Sequence, residues 1–202
     1  MVVNCARWRN TFKPDKLDIN TFRREAEAGK AFMIGADKKG HLTWLVFPGR
    51  HDPKQSSNDE VIKAIAHFVE DSRKKLPAGI TELNIILDFE GWSPSKNVDH
   101  GLDKLMFQHL QDYYPEVLHT AYVLHPPTTF KIAWAVIKPW LDRRTQEKIC
   151  MLSQSETKTV LLRDFDASVI PTKYGGENTM ELKPGTSLLP AENEPAGLTM
   201  QR

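Results

Sequence analysis

Apolar positions recur along this chain with two different spacings, and they predict alternating strands and helices. A helical spacing begins at Asn58 and continues until Pro77 stops it. A second amphipathic helix has its apolar face on Leu102, Leu105, Met106, His109 and Leu110. Short apolar runs predict strands at 31–35, 42–47, 83–87 and 118–124. The run at 83–87 is apolar enough to be a buried central strand.

The order of these elements predicts the fold class. Strand, long helix and strand follow one another, which implies right-handed parallel crossovers and an α/β fold with helices packed on a mostly parallel or mixed sheet. The first two strands are joined by the turn Asp37-Lys38-Lys39-Gly40 and predict a hairpin. At 202 residues the chain is long enough for one domain with a sizeable core.

Three regions follow from the pattern. Residues 1–30 begin inside an apolar and basic helix without a Ser, Thr or Asp cap, which predicts the remnant of a longer helical lobe. Residues 31–176 contain the strands and long helices. Residues 177–202 are rich in Gly, Pro, Glu, Asn and Ser without apolar periodicity, and we expect a disordered tail there.

The segment from Thr128 to Leu141 is apolar on almost every side. One stripe consists of Phe130, Trp134, Ile137 and Leu141, and a second consists of Ile132, Val136 and Trp140. Lys131 and Lys138, seven residues apart, form a narrow polar seam. A fully buried core helix would explain the stripes. A helix with one side on the core and the other on acyl chains or a membrane explains the lysines as well, since they can extend toward phosphates.

Polar residues flank this helix in sequence. Glu116 precedes it, and Thr145 and Lys148 follow it at a spacing that puts both on one helical face. An inositol phosphate needs a cation for its phosphate and carboxylate or hydroxyl partners for its sugar. Ordinary surface ion pairs would account for the same residues.

Composition and charge restrict the function classes. Apolar residues make up 40% of the chain and charged residues 26%, and the formal net charge is +1, so no broad basic field predicts nucleic-acid binding. Two cysteines and the absence of a secretory signal predict a cytosolic protein. The most apolar window, 130–141, is shorter than the roughly 20 residues that span a bilayer, so any membrane contact is expected to be peripheral.

Catalytic motifs are absent from the sequence. It contains no Gly-x-Ser-x-Gly elbow, phosphate loop, Gly-x-Gly-x-x-Gly or His-Glu-x-x-His motif, and its seven histidines show no metal-ligand spacing. A small hydrolase using Asp88 with a histidine lacks a recognisable nucleophile and base. We therefore expect a protein that is not an enzyme and carries no cofactor other than a bound ligand.

Five short motifs carry a family resemblance. They are Tyr113-Tyr114-Pro115-Glu116, Pro126-Pro127-x-x-Phe130, Ile137-Lys138-Pro139-Trp140-Leu141-Asp142, Thr145-x-x-Lys148-Ile149 and Ile170-Pro171-x-x-Tyr174-Gly175-Gly176. In order and spacing they resemble the CRAL-TRIO lipid-binding family, over roughly residues 8–176. The resemblance implies a mixed, mostly parallel sheet flooring an apolar lipid cavity, with 128–141 as a mobile gate helix.

The resemblance also implies a ligand site. In relatives that exchange phosphatidylinositol and phosphatidylcholine, inositol headgroup contacts fall on positions matching Glu116, Thr145 and Lys148. Small hydroxyl residues that contact the choline lipid are replaced here by Leu83 and Ile85, so choline-lipid exchange is not expected. The acyl-chain cavity is expected to be lined by Phe130, Trp134, Ile137 and Leu141 of the gate helix together with Leu83 and Ile85.

The expected function is to bind and transfer or present a phospholipid, foremost phosphatidylinositol, without covalent chemistry. The protein would work in the cytoplasm, peripherally on endomembranes. Two alternatives remain open. One is a carrier of another hydrophobic ligand, such as a sterol, tocopherol or retinoid, and the other is a lipid-sensing interaction module that binds a protein partner through its tail.

Overall fold

A five-stranded mixed sheet forms the centre of the computed structural model, which describes residues 2–184 except for the side chains of residues 2, 3 and 131. The first two strands pair antiparallel, and every later pairing is parallel. This confirms the predicted α/β class with a mostly parallel sheet. In spatial order the strands are β1 (Ala31–Ala36), β2 (Leu42–Val46), β3 (Leu83–Asp88), β4 (Leu118–Leu124) and β5 (Ile149–Leu152).

Helices connect and cover the strands. Their bounds are α1 (Val2–Phe12), α2 (Arg23–Glu27), α3 (Asn58–Lys75), α4 (Pro94–Asn97), α5 (His100–Tyr113), α6 (Thr128–Ile137), α7 (Arg143–Glu147) and α8 (Gln154–Asp164). A capping box between Ser57 and Glu60 begins α3, because each side chain bonds the backbone N–H of the other. The helix predicted over 128–141 ends earlier, at Ile137. Pro139 has no N–H to continue the helical ladder, and Lys138–Trp140 forms a 3-10 turn instead.

The two faces of the sheet are covered differently. Ile86, Tyr122 and Leu124 point to one face, where they pack with Leu161 of α8 and with Phe165, which follows that helix. The opposite face is covered by α3 and α6. There the Trp44 indole N–H donates to Ser72 Oγ of α3 at 2.6 Å, so the large aromatic ring is buried with its polar atom satisfied.

The N-terminal helix rests on this second layer of helices. The Trp8 ring stacks on Tyr113 of α5 with centroids 4.3 Å apart. The Arg9 guanidinium donates to both carboxylate oxygens of Glu70 in α3, at 2.7 and 2.9 Å. Residues 2–12 are therefore fixed to the domain by contacts with two helices.

The chain after α8 returns to the sheet and packs on its α8 side. Gly176 lies so close to the backbone that an added Cβ would be 2.0 Å from the Ile170 carbonyl oxygen. Asn178 N–H donates to that carbonyl at 3.0 Å, and Met180 and Leu182 pack against the core. Residues 177–184, which the sequence pattern assigned to the tail, make these contacts, and 185–202 lie outside the described residues.

No helix within the described part of the chain combines the length and the apolar character needed to cross a bilayer.

A buried carboxylate fastens the returning segment to the central strand. Asp88 ends β3 with its side chain 0% exposed. Its Oδ2 accepts from Lys173 Nζ at 2.5 Å and from the Tyr174 hydroxyl at 2.6 Å, while Oδ1 accepts from Glu90 N–H at 3.0 Å. Burial alone raises the pKa of Asp88, but these hydrogen bonds outweigh it, and the net pKa lies below the ordinary 3.8.

Asp88→Asn is expected to lower the free energy of unfolding by about 1–3 kcal/mol at pH 7, because it leaves buried donors imperfectly matched. Since the pKa of Asp88 is lowered on folding, the wild-type advantage is complete above the ordinary value of 3.8 and declines as the pH falls toward the folded value. Urea denaturation of the wild type and of Asp88→Asn from pH 7 to pH 3 measures how the difference in their free energies of unfolding changes with pH. Glu90→Gln, at a side chain 70% exposed, is the control and should change stability by less than about 1 kcal/mol. Equal losses in both variants would contradict the assignment.

Candidate functional site

Helix α6 has one buried side and one exposed side. Phe130 is 5% exposed and packs edge-on against Phe89 with centroids 4.3 Å apart. On the other side, Ile132 is 74% exposed and Val136 is 45% exposed. The fully buried core helix is therefore excluded. The helix has an apolar outer surface with nothing from the described residues covering it, in addition to an apolar inner surface on the sheet.

The inner surface of α6 faces the side chains predicted to line a cavity. Leu87 packs in one cluster with Phe130 and Trp134. Because side chains alternate along a strand, Leu83 and Ile85 lie on the same face as Leu87. Leu83 is buried and Ile85 is half-buried. On the gate segment, Leu141 is buried, and Trp134 and Ile137 are half-buried.

A cavity of about 420 Å³ opens at the C-terminal end of α6, between this helix and the edge strand β5. Apolar side chains of α6 and β5 form part of the wall, and charged side chains of α7 and the 3-10 turn form the remainder. The lining residues are Trp134, Lys138, Arg143, Gln146, Glu147, Ile149 and Met151. Apolar and polar side chains therefore share the wall of an open cavity at this edge of the sheet.

Lys148 and Glu116, which are far apart in sequence, are brought together at the end of α7, and neither is among the residues that line this cavity. Lys148 lies between α7 and β5, and Glu116 lies in the turn between α5 and β4 with a positive φ of 56°. Lys148 Nζ donates to Glu116 Oε2 at 3.4 Å, to Glu82 Oε1 at 2.9 Å and to the Leu118 carbonyl. Arg144 Nη1 adds a bond to Glu116 Oε1 at 3.3 Å.

Burial and pairing act in opposite directions on these charges. Partial burial lowers the pKa of Lys148, but hydrogen bonds and charges from Glu82 and Glu116 raise it more, and the net pKa lies above 10.5. For Glu82, burial raises the pKa, while hydrogen bonds from Lys148 and His119 lower it below 4.5. Both groups are therefore charged near neutral pH, with Lys148 held as a cation between two carboxylates.

The Thr145 hydroxyl, predicted to contact the headgroup, is hydrogen-bonded within its own turn in this structure. It donates to Asp142 Oδ2 at 2.6 Å, and Asp142 Oδ1 accepts from the Thr145 backbone N–H at 3.0 Å. Asp142 thus caps the N-terminus of α7. The backbone of Thr145 contacts that of Lys148, but its hydroxyl is engaged in the cap.

Sequence reasoning missed Glu82 and Arg144. Glu82 precedes β3 in a polar loop, and its pairing with Lys148 spans 66 positions, so no local pattern signals it. Arg144 lies next to Thr145 within a polar helix, where a basic residue is unremarkable. Both contribute charge directly to the pair of Glu116 and Lys148.

Comparisons with known proteins agree with this architecture. The phosphatidylinositol transfer protein CSR1 of Eremothecium gossypii is 27% identical over 190 residues, which cover 88% of this chain and 43% of that protein. The Sec14 cytosolic factor of Schizosaccharomyces pombe is 28% identical over 193 residues, covering 87% of this chain and 67% of that protein. Patellin-6 of Arabidopsis thaliana is 25% identical over 189 residues, 87% of this chain and 46% of that protein. The chain thus spans less than half the length of CSR1 and Patellin-6.

A solved structure and a family profile agree with these relatives. The crystal structure of Sfh5 superposes with a TM-score of 0.69 over 95% of this chain and 68% of that chain, at 18% sequence identity, which establishes the fold. The sequence profile of the CRAL/TRIO domain matches residues 26–176, and this chain belongs to the CRAL/TRIO domain family.

Proposed function

We propose that this domain binds a phospholipid, foremost phosphatidylinositol, and transfers or presents it at membranes without making or breaking covalent bonds. The observation that carries the proposal is the pairing of Lys148 with Glu116 at the end of α7, the helix that also lines the cavity beside the apolar helix α6. A phospholipid has the same division, with a charged head joined to apolar chains.

On binding, the lipid headgroup would replace some of the contacts that Lys148, Glu116 and Glu82 now make with one another. A lipid phosphate can replace Glu116 or Glu82 as the partner of the Lys148 ammonium. Glu116, with its side chain 61% exposed, is then free to accept hydrogen bonds from inositol hydroxyls. Arg144, 80% exposed, supplies a second cation at the same place. Thr145 could take part only after its hydroxyl leaves Asp142.

The acyl chains would enter between α6 and the sheet. Phe130 now packs directly on that face, so entry of two chains requires α6 to move outward. Each buried CH₂ contributes about 0.8 kcal/mol relative to water, and a membrane offers nearly the same burial. A lipid can therefore exchange between the protein and a bilayer with a small net change in free energy. We place this exchange in the cytoplasm, on the surface of endomembranes.

Lipid binding is tested on the purified full chain by native mass spectrometry and by extraction of the bound lipid. We expect an inositol phospholipid in the wild type and at least about tenfold less in Lys148→Ala, because a charge-assisted partner of the phosphate is lost. Lys104→Ala, at an exposed lysine on α5, is the control and should retain the wild-type amount.

The identity of the recovered lipid decides between the proposed and alternative ligands. In a vesicle assay, labelled phosphatidylinositol should move with the wild type, and phosphatidylcholine should move poorly because Leu83 and Ile85 offer no hydroxyl. A sterol, tocopherol or retinoid as the only recovered ligand would overturn the inositol-lipid proposal, and so would equal recovery of phosphatidylinositol from Lys148→Ala.

Loss of lipid in Lys148→Ala must be separated from loss of folding. Lys148 and Glu82 have side chains 24% and 30% exposed, and ion pairs of this kind contribute about 0–1 kcal/mol. We therefore expect the variant to unfold within about 1 kcal/mol of the wild type in urea. A loss above about 3 kcal/mol would show that Lys148 is chiefly structural.

Membrane docking is expected to use the outer face of α6. Ile132 is 74% exposed, so Ile132→Ser should leave stability nearly unchanged. Because burying such a side chain in a bilayer contributes about 1.5–3 kcal/mol, vesicle binding should fall by roughly tenfold or more. Ile132→Leu keeps the apolar area and is the control in a vesicle flotation assay. Equal flotation of the Ser and Leu variants would remove α6 from the docking surface.

A further inference from the structure

A second cluster of polar side chains lies on the opposite side of Glu82 from Lys148. It is assembled from three places in the fold: Asp37 in the turn between β1 and β2, His41 just before β2, and His119 on β4. One ligand atom from each of these residues lies within 4.8 Å of the other two. Asp37 and His41 have side chains only 6% and 10% exposed.

Hydrogen bonds fix the Asp37 carboxylate in place. Its Oδ1 accepts from the backbone N–H groups of Lys39 and His41 at 2.9 and 2.8 Å, and its Oδ2 accepts from Asn84 Nδ2 at 2.9 Å. The Asn84 Oδ1 atom is buried and has no hydrogen-bond partner in the described structure.

The two imidazoles are held by carboxylates. His41 Nδ1 lies 2.9 Å from Asp37 Oδ2, and His119 Nδ1 lies 3.1 Å from Glu82 Oε2. The contact of His119 with Glu82 is a common orientation of a metal-binding histidine, because a carboxylate on one ring nitrogen directs the other nitrogen toward the ion. Bonding of Nδ1 to Glu82 leaves His119 Nε2 available as a ligand.

We propose that Asp37, His41 and His119 form a binding site for a divalent transition-metal ion such as Zn²⁺. The ligand atoms would be Asp37 Oδ2, His41 Nδ1 and His119 Nε2, with Glu82 and Asn84 orienting them. Two histidines and one carboxylate are a ligand set that Zn²⁺ takes, at about 2.0–2.2 Å from each atom. Zinc placed between Oδ2 and Nδ1 takes the place of the proton between them, and their 2.9 Å separation needs to widen only slightly.

One rearrangement is needed for all three atoms to converge. The imidazole rings now stack with centroids 3.7 Å apart and an angle of 12°, so one ion cannot lie in the planes of both rings. Rotation of His119 about its Cβ–Cγ bond turns Nε2 toward the ion. His119 is half-buried and lines a cavity of about 230 Å³ with Asp37, through which solvent can reach these two ligands.

The test uses the full chain without an affinity tag, stripped of metal and titrated with zinc chloride by calorimetry at pH 7.5. We expect one equivalent to bind. His119→Ala and Asp37→Asn should each weaken binding at least about tenfold, and Glu82→Gln should weaken it as an orienting residue. His100→Ala, at an exposed histidine outside the cluster, is the matched control.

Thermal unfolding supplies a second measurement that does not depend on heats of binding. Zinc should raise the Tm of the wild type and of His100→Ala, because a ligand that binds only the folded state stabilises it, and should leave the Tm of His119→Ala unchanged. The His119 side chain is only half-buried, so His119→Ala is expected to fold. Absence of a zinc-dependent rise, or equal zinc affinity in His119→Ala and the wild type, would overturn the proposal and leave the stacked histidines as a structural contact.

Discussion

A buried carboxylate must be paired, and this constraint at Asp88 organises the sheet and the segment that returns to it. Leaving an isolated charge in the interior would cost several kcal/mol. Asp88 meets the requirement only when Lys173 and Tyr174 reach it from a segment 85 positions later. Their position in turn brings Gly176 against Ile170 so closely that a side chain would not fit. In the Tyr-Gly-Gly motif, Tyr174 is thus explained by its bond to the carboxylate and Gly176 by the close approach of Ile170.

The alternation of side chains along β3 divides the molecule into two functional layers. Asn84, Ile86 and Asp88 point to the α8 side, where the contacts are numerous and fully buried. Leu83, Ile85 and Leu87 point to the side of α6, which is attached mainly through Phe130 and leaves Ile132 exposed. One face of the strand therefore maintains the fold. The other face of β3 carries α6, which buries part of its apolar surface against the sheet and exposes the rest to solvent. A movable cover requires this arrangement.

Much of this fold could be predicted from the sequence because its signals are local. The apolar run at 118–124 gave a strand with the observed bounds, and Asn58 was the correct first residue of α3. The end of α6 was missed because apolar periodicity continues past Ile137, while Pro139 interrupts the hydrogen bonding. The partner of Thr145 was missed although Asp142 stands three residues ahead of it, a spacing typical of a helix cap.

Contacts between distant segments could not be predicted in this way. Glu82 meets Lys148 across 66 positions, and the cluster of Asp37, His41 and His119 joins the β1–β2 turn to β4, on the far side of β3. Scanning for metal-ligand spacing along the chain fails for such a cluster, because parallel strand order rather than sequence separation brings the residues together. Only the register of β2, β3 and β4 puts these side chains within reach of one another.

The pairing of Lys148 has a consequence for exchange. A lysine without a charged partner would bind a lipid phosphate tightly and release it slowly. Lys148, in contrast, already pairs with the carboxylates of Glu82 and Glu116. Binding a headgroup then replaces one charge-assisted contact with another, and the net gain is the small difference between them. Glu82, on losing Lys148, still has His119 as a partner. Because neither state leaves a charge without a partner, the proposed site can load and unload a lipid without a large electrostatic barrier.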